Sequence, residues 1–227
     1  MKYTTLMTHA EPEQSEETPP TDEEMFSGLM LTNEYGWTPE TLTYHGAATR
    51  SILLSGEVNR PLANVVCSQL RTLSTVCGES PITVVINSPG GDVVQALAMY
   101  DVMRAIPCPI ITIVQGEASS AGFLLMQGGD LRFAFPNSRL FYHEPIIGLQ
   151  ASSEHEMNAA YGNYQWALAT MNDIIRKRTN MKKSQWTKHF AGSTANFMTA
   201  KEALKLNILD DLLEYMEKPP LVIPVGD

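Results

Sequence analysis

The sequence predicts an α/β domain built on a largely parallel sheet. Two β-branched runs, Ile82–Ile86 and Ile110–Val114, have the length and composition of buried strands. Stretches with helical spacing of apolar residues lie between and around them, and strands alternating with helices favour parallel pairing.

Taken in order, Ser51–Leu54 is a short apolar run that stops at Gly56, consistent with a strand. Pro61 then opens a helical stretch with Val65, Leu70 and Leu73 on one face, closed by Gly78. Ile82–Ile86 forms the next strand, Asp92–Ile106 the next helix, and Ile110–Val114 another strand. A stretch of small residues follows, then a strand around Leu140–Tyr142 and a long helix near 153–178. The long helix carries Met157, Ala160, Tyr161, Tyr164, Ala167, Leu168, Met171, Ile174 and Ile175 at 3–4 spacing. Such a face packs on the protein's own core or on another subunit.

A chain of 227 residues suffices for one domain with a real core, and 44% hydrophobic with 18% charged residues fits a globular protein. No apolar run approaches the roughly 18 residues of a membrane span, and the first residues open no secretory leader. A cytoplasmic protein is expected. The net charge of −9 is localised: residues 1–48 hold nine acidic residues and one lysine, leaving 16 acidic and 15 basic residues in the remainder. A body so near neutrality has no footprint for a nucleic-acid backbone. Residues 8–24 are acidic, proline-containing and almost devoid of apolar side chains, so disorder is expected there. The organisation expected is an acidic extension over 1–48, a folded domain over 49–216 and a tail over 217–227. Cys67, Cys77 and Cys108 lack metal-ligand spacing and read as buried thiols.

Three segments could carry chemistry. In Ile86–Asp92 (INSPGGD), glycines between a strand and a helix allow a sharp turn and close approach of the backbone. Free amides at such a helix start can hold an anion or a developing oxyanion, though a purely structural turn uses the same residues. In Gly116–Gly122 (GEASSAG), small residues surround a hydroxyl at a strand-to-helix turn, and the Ala121 amide follows it. No serine there sits between glycines at the spacing of a G-x-S-x-G elbow. His143 ends the strand Leu140–Tyr142 and precedes Glu144-Pro145, which places an imidazole at a sheet rim.

Together these segments, with PNSRLFYHEP, the closing stretch Phe197–Ala203 (FMTAKEA) and Leu206–Asp210 (LNILD), resemble the ClpP-type serine peptidases in order and approximate spacing over about residues 49–216. The resemblance implies a ClpP/crotonase-like spiral of βα units with a protruding handle helix. It implies a serine endopeptidase that cuts unfolded polypeptides, with Ser120 as nucleophile and His143 as general base. The amides of Gly91 and Ala121 would form the oxyanion hole, and no metal or organic cofactor is implied. It further implies stacked heptameric rings enclosing a chamber, and an AAA+ Clp unfoldase as partner. Neither nucleic acid nor a membrane is an expected partner.

Three departures from the family pattern stand out. The position of the family's catalytic aspartate, two residues before Phe197, is Ala195, and Asn196 is the adjacent candidate for an orienting group. Where the family receives the unfoldase on aromatic side chains, this chain has Thr83, Val85 and Ala105, which offer less apolar area to bury. The acidic extension exceeds the family's usual axial loop, suiting a removable or mobile segment. A non-catalytic ring subunit that co-assembles with an active paralogue is the alternative. An acyl-CoA enzyme of the crotonase type would not need the Ser120–His143 pair, and a serine–lysine signal-peptide peptidase would need a membrane anchor.

Overall fold

The computed structural model describes residues 49–76, 78–146, 153–182, 184–186, 190 and 196–215. The expected acidic extension, the C-terminal tail, Cys77 and Ala195 lie outside the described residues.

The fold is mixed α/β around a mostly parallel sheet, as the alternating pattern requires. In chain order the elements are β1 (Ser51–Val58), α1 (Arg60–Val76), β2 (Ile82–Gly91), α2 (Val93–Ala105), β3 (Ile110–Ser119) and α3 (Ala121–Met126). There follow β4 (Leu131–Ala134), β5 (Arg139–Tyr142), α4 (Glu154–Thr179), β6 (Asn196–Thr199), α5 (Ala200–Lys205) and β7 (Asp211–Leu212). Strands β1, β2, β3, β4 and β7 run side by side and parallel, and β5 joins β3 in parallel while pairing antiparallel with β6.

The inner face of this sheet is the core. Leu54, Val84, Ile86, Ile110 and Val114 point inward and meet Val66, Leu70, Met99, Met103 and Phe123. The helix α1 buries Ala63, Val66, Cys67, Leu70 and Leu73, whereas Val65, expected on that face, is 53% exposed. Its neighbour Val66 completes the stripe, because Ala63, Val66, Leu70 and Leu73 keep the 3–4 spacing and Val65 does not. On the outer face the registers align Leu53, Val85, Ile113 and Phe133 in one row across four strands.

Strands proved longer than their apolar runs. Both β2 and β3 continue into the glycine- and serine-containing segments, so INSPGG and GEAS are strand, not loop. Elements absent from the sequence reading are the short strands β4, β6 and β7 and the helix α5. The long helix α4 matches its expected span within one residue. Its buried residues are Ala167, Met171, Ile175 and Thr179, all in the second half. In the first half Met157 and Tyr161 are half exposed. The apolar face thus divides between core packing and a surface-facing part.

Candidate active site

The site follows from a fork in β3. Its first half, Ile111–Val114, pairs with β4, and its last residues, Glu117–Ser119, pair with Arg139–Phe141 of β5. Between the halves Gly116 has φ +93°, and a β-carbon there would meet the Asn87 side chain at 2.6 Å. The Asn87 Oδ1 accepts from the Glu117 amide at 3.3 Å, which fixes the bend. The fork brings the ends of β3 and β5 together.

Ser120 occupies the single residue between β3 and α3, with φ 53° and ψ −118°. A non-glycine side chain rarely adopts this conformation, and it persists only where the surroundings over-determine it. Here they do. The Ser120 amide donates to the Phe141 carbonyl at 2.7 Å, and its own carbonyl accepts from the amides of Phe123 and Leu124 at 3.0 and 3.3 Å. Gly90 approaches from β2 so closely that a β-carbon would lie 2.6 Å from Ser120 Cβ and 2.9 Å from the Ala121 nitrogen. The preceding Ser119 is buried and its hydroxyl donates to Glu117 Oε2 at 2.9 Å, so the two adjacent serines have opposite fates.

His143 follows the end of β5, and its aim is set by Tyr142. The Tyr142 ring is fully buried and makes edge contacts with Phe123, Trp186 and Phe190 at centroid distances of 5.8, 5.5 and 5.3 Å. Its hydroxyl donates to Asn172 Oδ1 of α4. Burial, with the Glu144 carboxylate nearby, pushes the phenol far above its ordinary range, so it remains a donor. With Tyr142 pinned inward, strand alternation sends Phe141 and His143 to the other face. Their rings stack at 5.2 Å with an interplanar angle of 30°.

Ser120, His143, Gly90, Gly91, Asp92 and Pro145 border one cavity of about 540 Å³. A second cavity of about 440 Å³ shares Asp92, Val93, Pro145 and Ile146 with it and is bounded by Tyr164 and Trp166 of α4. Together they form a groove from Ser120 toward the long helix. The Asp92 carboxylate caps α2, accepting from the amides of Val94 and Gln95 at 2.7 and 3.2 Å. Glu144 Oε2 accepts from the Tyr164 hydroxyl at 3.3 Å, which joins the residue after His143 to α4.

The expected residues are distributed as follows. Ser120, His143 and Gly91 share the cavity, and the Ala121 nitrogen lies against Gly90 as the first residue of α3. Among the described residues no hydrogen bond joins Ser120 to His143. The His143 Nδ1 lies 2.7 Å from the Glu144 carbonyl oxygen, so Nδ1 carries the proton and donates, leaving Nε2 as the basic nitrogen. Asn196 pairs with Tyr142 across β5 and β6 and therefore shares its face, opposite to that of His143. The Asn196 amide nitrogen is buried with no hydrogen-bond partner among the described residues. The structure thus does not bring Asn196 to the imidazole. Sequence reasoning overlooked Phe141 and Glu144, although a period of two places Phe141 on the face of His143.

A family model described as Clp protease matches residues 41–216, most of the chain.

Proposed function

The chain belongs to the Clp protease family, and from that membership we propose that it is the serine endopeptidase subunit of a self-compartmentalising protease acting on unfolded polypeptides. The observation that carries this reading is the shared cavity, in which a strained, half-buried serine, a histidine and the Gly91 backbone border one space.

In this reading an extended substrate lies in the groove between Gly91–Val93 and α4. Ser120 Oγ attacks the scissile carbonyl carbon as His143 Nε2 takes its proton. The oxyanion is held by the amides of Gly91 and Ala121, fixed donors that need no reorganisation as charge develops. The tetrahedral species collapses when the imidazolium protonates the leaving amine. Water, deprotonated by the same imidazole, then releases the acyl group. In this reading the Ser120–His143 hydrogen bond forms on substrate binding, since catalytic hydrogen bonds commonly tighten only in the complex.

A fluorophosphonate probe tests this directly. Labelling should fall on Ser120 and vanish in both Ser120→Ala and His143→Ala. Labelling that persists without His143 would overturn the mechanism.

The second reading, a weakly active or non-catalytic ring subunit, is favoured by one observation: alanine stands at the position of the family's acid. Loss of that acid costs about 10⁴ in kcat in the chymotrypsin-type case. Labelling of an isolated ring, compared with a ring reconstituted with a paralogue, separates the two.

Assembly into stacked heptameric rings in the cytoplasm is part of the proposal, and native mass measurement tests the ring. Docking of an AAA+ unfoldase would use the outer sheet face, where half-buried Thr83 and Val85 and the aligned Leu53, Ile113 and Phe133 lie. An intact ring that neither captures an unfoldase nor degrades proteins with ATP would count against this partner.

A further inference from the structure

Among the described residues no carboxylate is hydrogen-bonded to His143, so in the peptidase reading this base must be aligned by something else. Two torsions of the imidazole have to be fixed, as does its tautomer. The Glu144 carbonyl, 2.7 Å from Nδ1, selects the tautomer. It does not by itself fix the plane of the ring, because a single hydrogen bond tolerates rotation about its axis.

The plane is set by a column of side chains on one face of β5 and β6. Phe141 stacks on His143 at 5.2 Å and 30°. Phe197, its cross-strand partner in the register, stacks on Phe141 at 4.1 Å and 19°. The guanidinium of Arg139 closes the column 4.9 Å from the centre of the Phe197 ring. Phe197 is 59% exposed, so burial alone gives it little reason to be a large aromatic. Support of Phe141 does give one.

We infer that Phe141 and Phe197 are positioning residues for His143, doing with ring stacking and the Glu144 carbonyl what an acidic third residue does elsewhere. The inference rests on the peptidase reading above. The column holds the neutral imidazole in plane before attack. It also gains strength when His143 becomes a cation, since an imidazolium over an aromatic face is attracted by the ring quadrupole. That gain arises only once the proton has moved, so it acts on turnover more than on substrate binding.

The test uses the full-length assembled protein with three variants, Phe141→Leu, Phe197→Leu and Phe141→Tyr, read by fluorogenic-peptide kinetics and by the rate of Ser120 fluorophosphonate labelling. Loss of one stacked pair should lower kcat and the labelling rate of Phe141→Leu roughly 2- to 10-fold, with KM within about twofold. Phe197→Leu should fall in the same direction by less, and Phe141→Tyr, which keeps the ring, should match the parent. Wild-type rates in Phe141→Leu, or a Phe141→Tyr as impaired as Phe141→Leu, would overturn the inference. Should Phe141→Leu fail to assemble, Phe197→Leu on the exposed edge decides alone, and an unchanged kcat there sinks the column. Failure of the parent protein to label at Ser120 would instead sink the peptidase reading on which the column depends.

Discussion

The Ser120 amide donates to the Phe141 carbonyl at 2.7 Å, the last rung of the β3–β5 ladder. This bond ties the strained serine to the strand that carries His143, and it orients the pair of serines as well. Ser119, paired with Phe141 in the register, is buried and donates to Glu117, whereas Ser120 borders the cavity.

The two hydroxyls should therefore separate cleanly on substitution. Ser119→Ala removes one hydrogen bond to a half-buried carboxylate that water can re-solvate, a loss of about 1 kcal/mol in stability. Fluorophosphonate labelling should survive it. Ser120→Ala should leave stability nearly unchanged and abolish labelling. Intact labelling in Ser120→Ala would move the nucleophile elsewhere.

Gly90→Ala should damage both fold and site. The new methyl would meet Ser120 Cβ at 2.6 Å and the Ser119 carbonyl at 2.7 Å, and φ +98° at Gly90 is itself strained for any L side chain. Backbone strain of this kind costs about 1–3 kcal/mol, to which the displacement of Ser120 adds. The melting temperature should drop, and labelling should fall even at temperatures where the variant is fully folded. A variant that labels like the parent would mean that the Ser120 turn yields without consequence.

Much of this architecture was readable from local pattern, and the failures have physical causes. The runs Ile82–Ile86 and Ile110–Val114 announced their strands because β-branched residues fit a buried pleated surface. Their continuation through SPGG and GEAS was hidden, because there the ladder is held by partner strands and side chains such as Asn87, against the local preference of glycine and serine. β6 was equally silent. Its four residues Asn196–Thr199 gain strand geometry only by pairing with β5. Ser120 and His143 could be nominated from their segments and the family resemblance. Their common cavity could not, since it depends on the fork in β3. Asn196 was nominated by adjacency in sequence, and strand alternation puts it on the wrong face.

The start of α2 offers a separable stability effect beside the site. Asp92 accepts from two amides, and Asn can form the same cap. Asp92→Ala should therefore cost about 1 kcal/mol and Asp92→Asn only a few tenths, measured by urea unfolding at fixed protein concentration. Equal losses for the two variants would show that the charge, not the cap, is what α2 needs.

A buried guanidinium links the ends of the site's helices, and it should carry an acid-dependent part of stability. Arg132 is 5% exposed. Its Nε and Nη2 donate to the Asp210 carboxylate at 2.9 and 2.7 Å, its Nη1 to Gln127 Oε1 at 2.7 Å and to the Arg178 carbonyl at 3.1 Å. One guanidinium thus joins β4, the end of α3, the end of α4 and the lead into β7. The hydrogen bonds from Arg132 hold the Asp210 carboxyl below its ordinary value of 3.8. A carboxylate depressed in the folded state contributes stability that is fully present above the unfolded value and is lost as pH falls through the folded one. Asp210→Asn leaves a buried cation without its partner, and breaking such pairs costs about 3–5 kcal/mol. Because Asp210 itself is one-third exposed, the expected loss at neutral pH lies at or below the lower end of that range. The gap between parent and variant should be constant from pH 7 to about pH 5 and narrow once the pH drops below 3.8. Asp130, also held low because the Ile110 amide and Arg104 outweigh its burial, is present in both proteins and cancels. Unfolding curves across that pH series decide it: a gap as wide at pH 3 as at pH 7 would mean that the Arg132–Asp210 pair is not what the substitution removes.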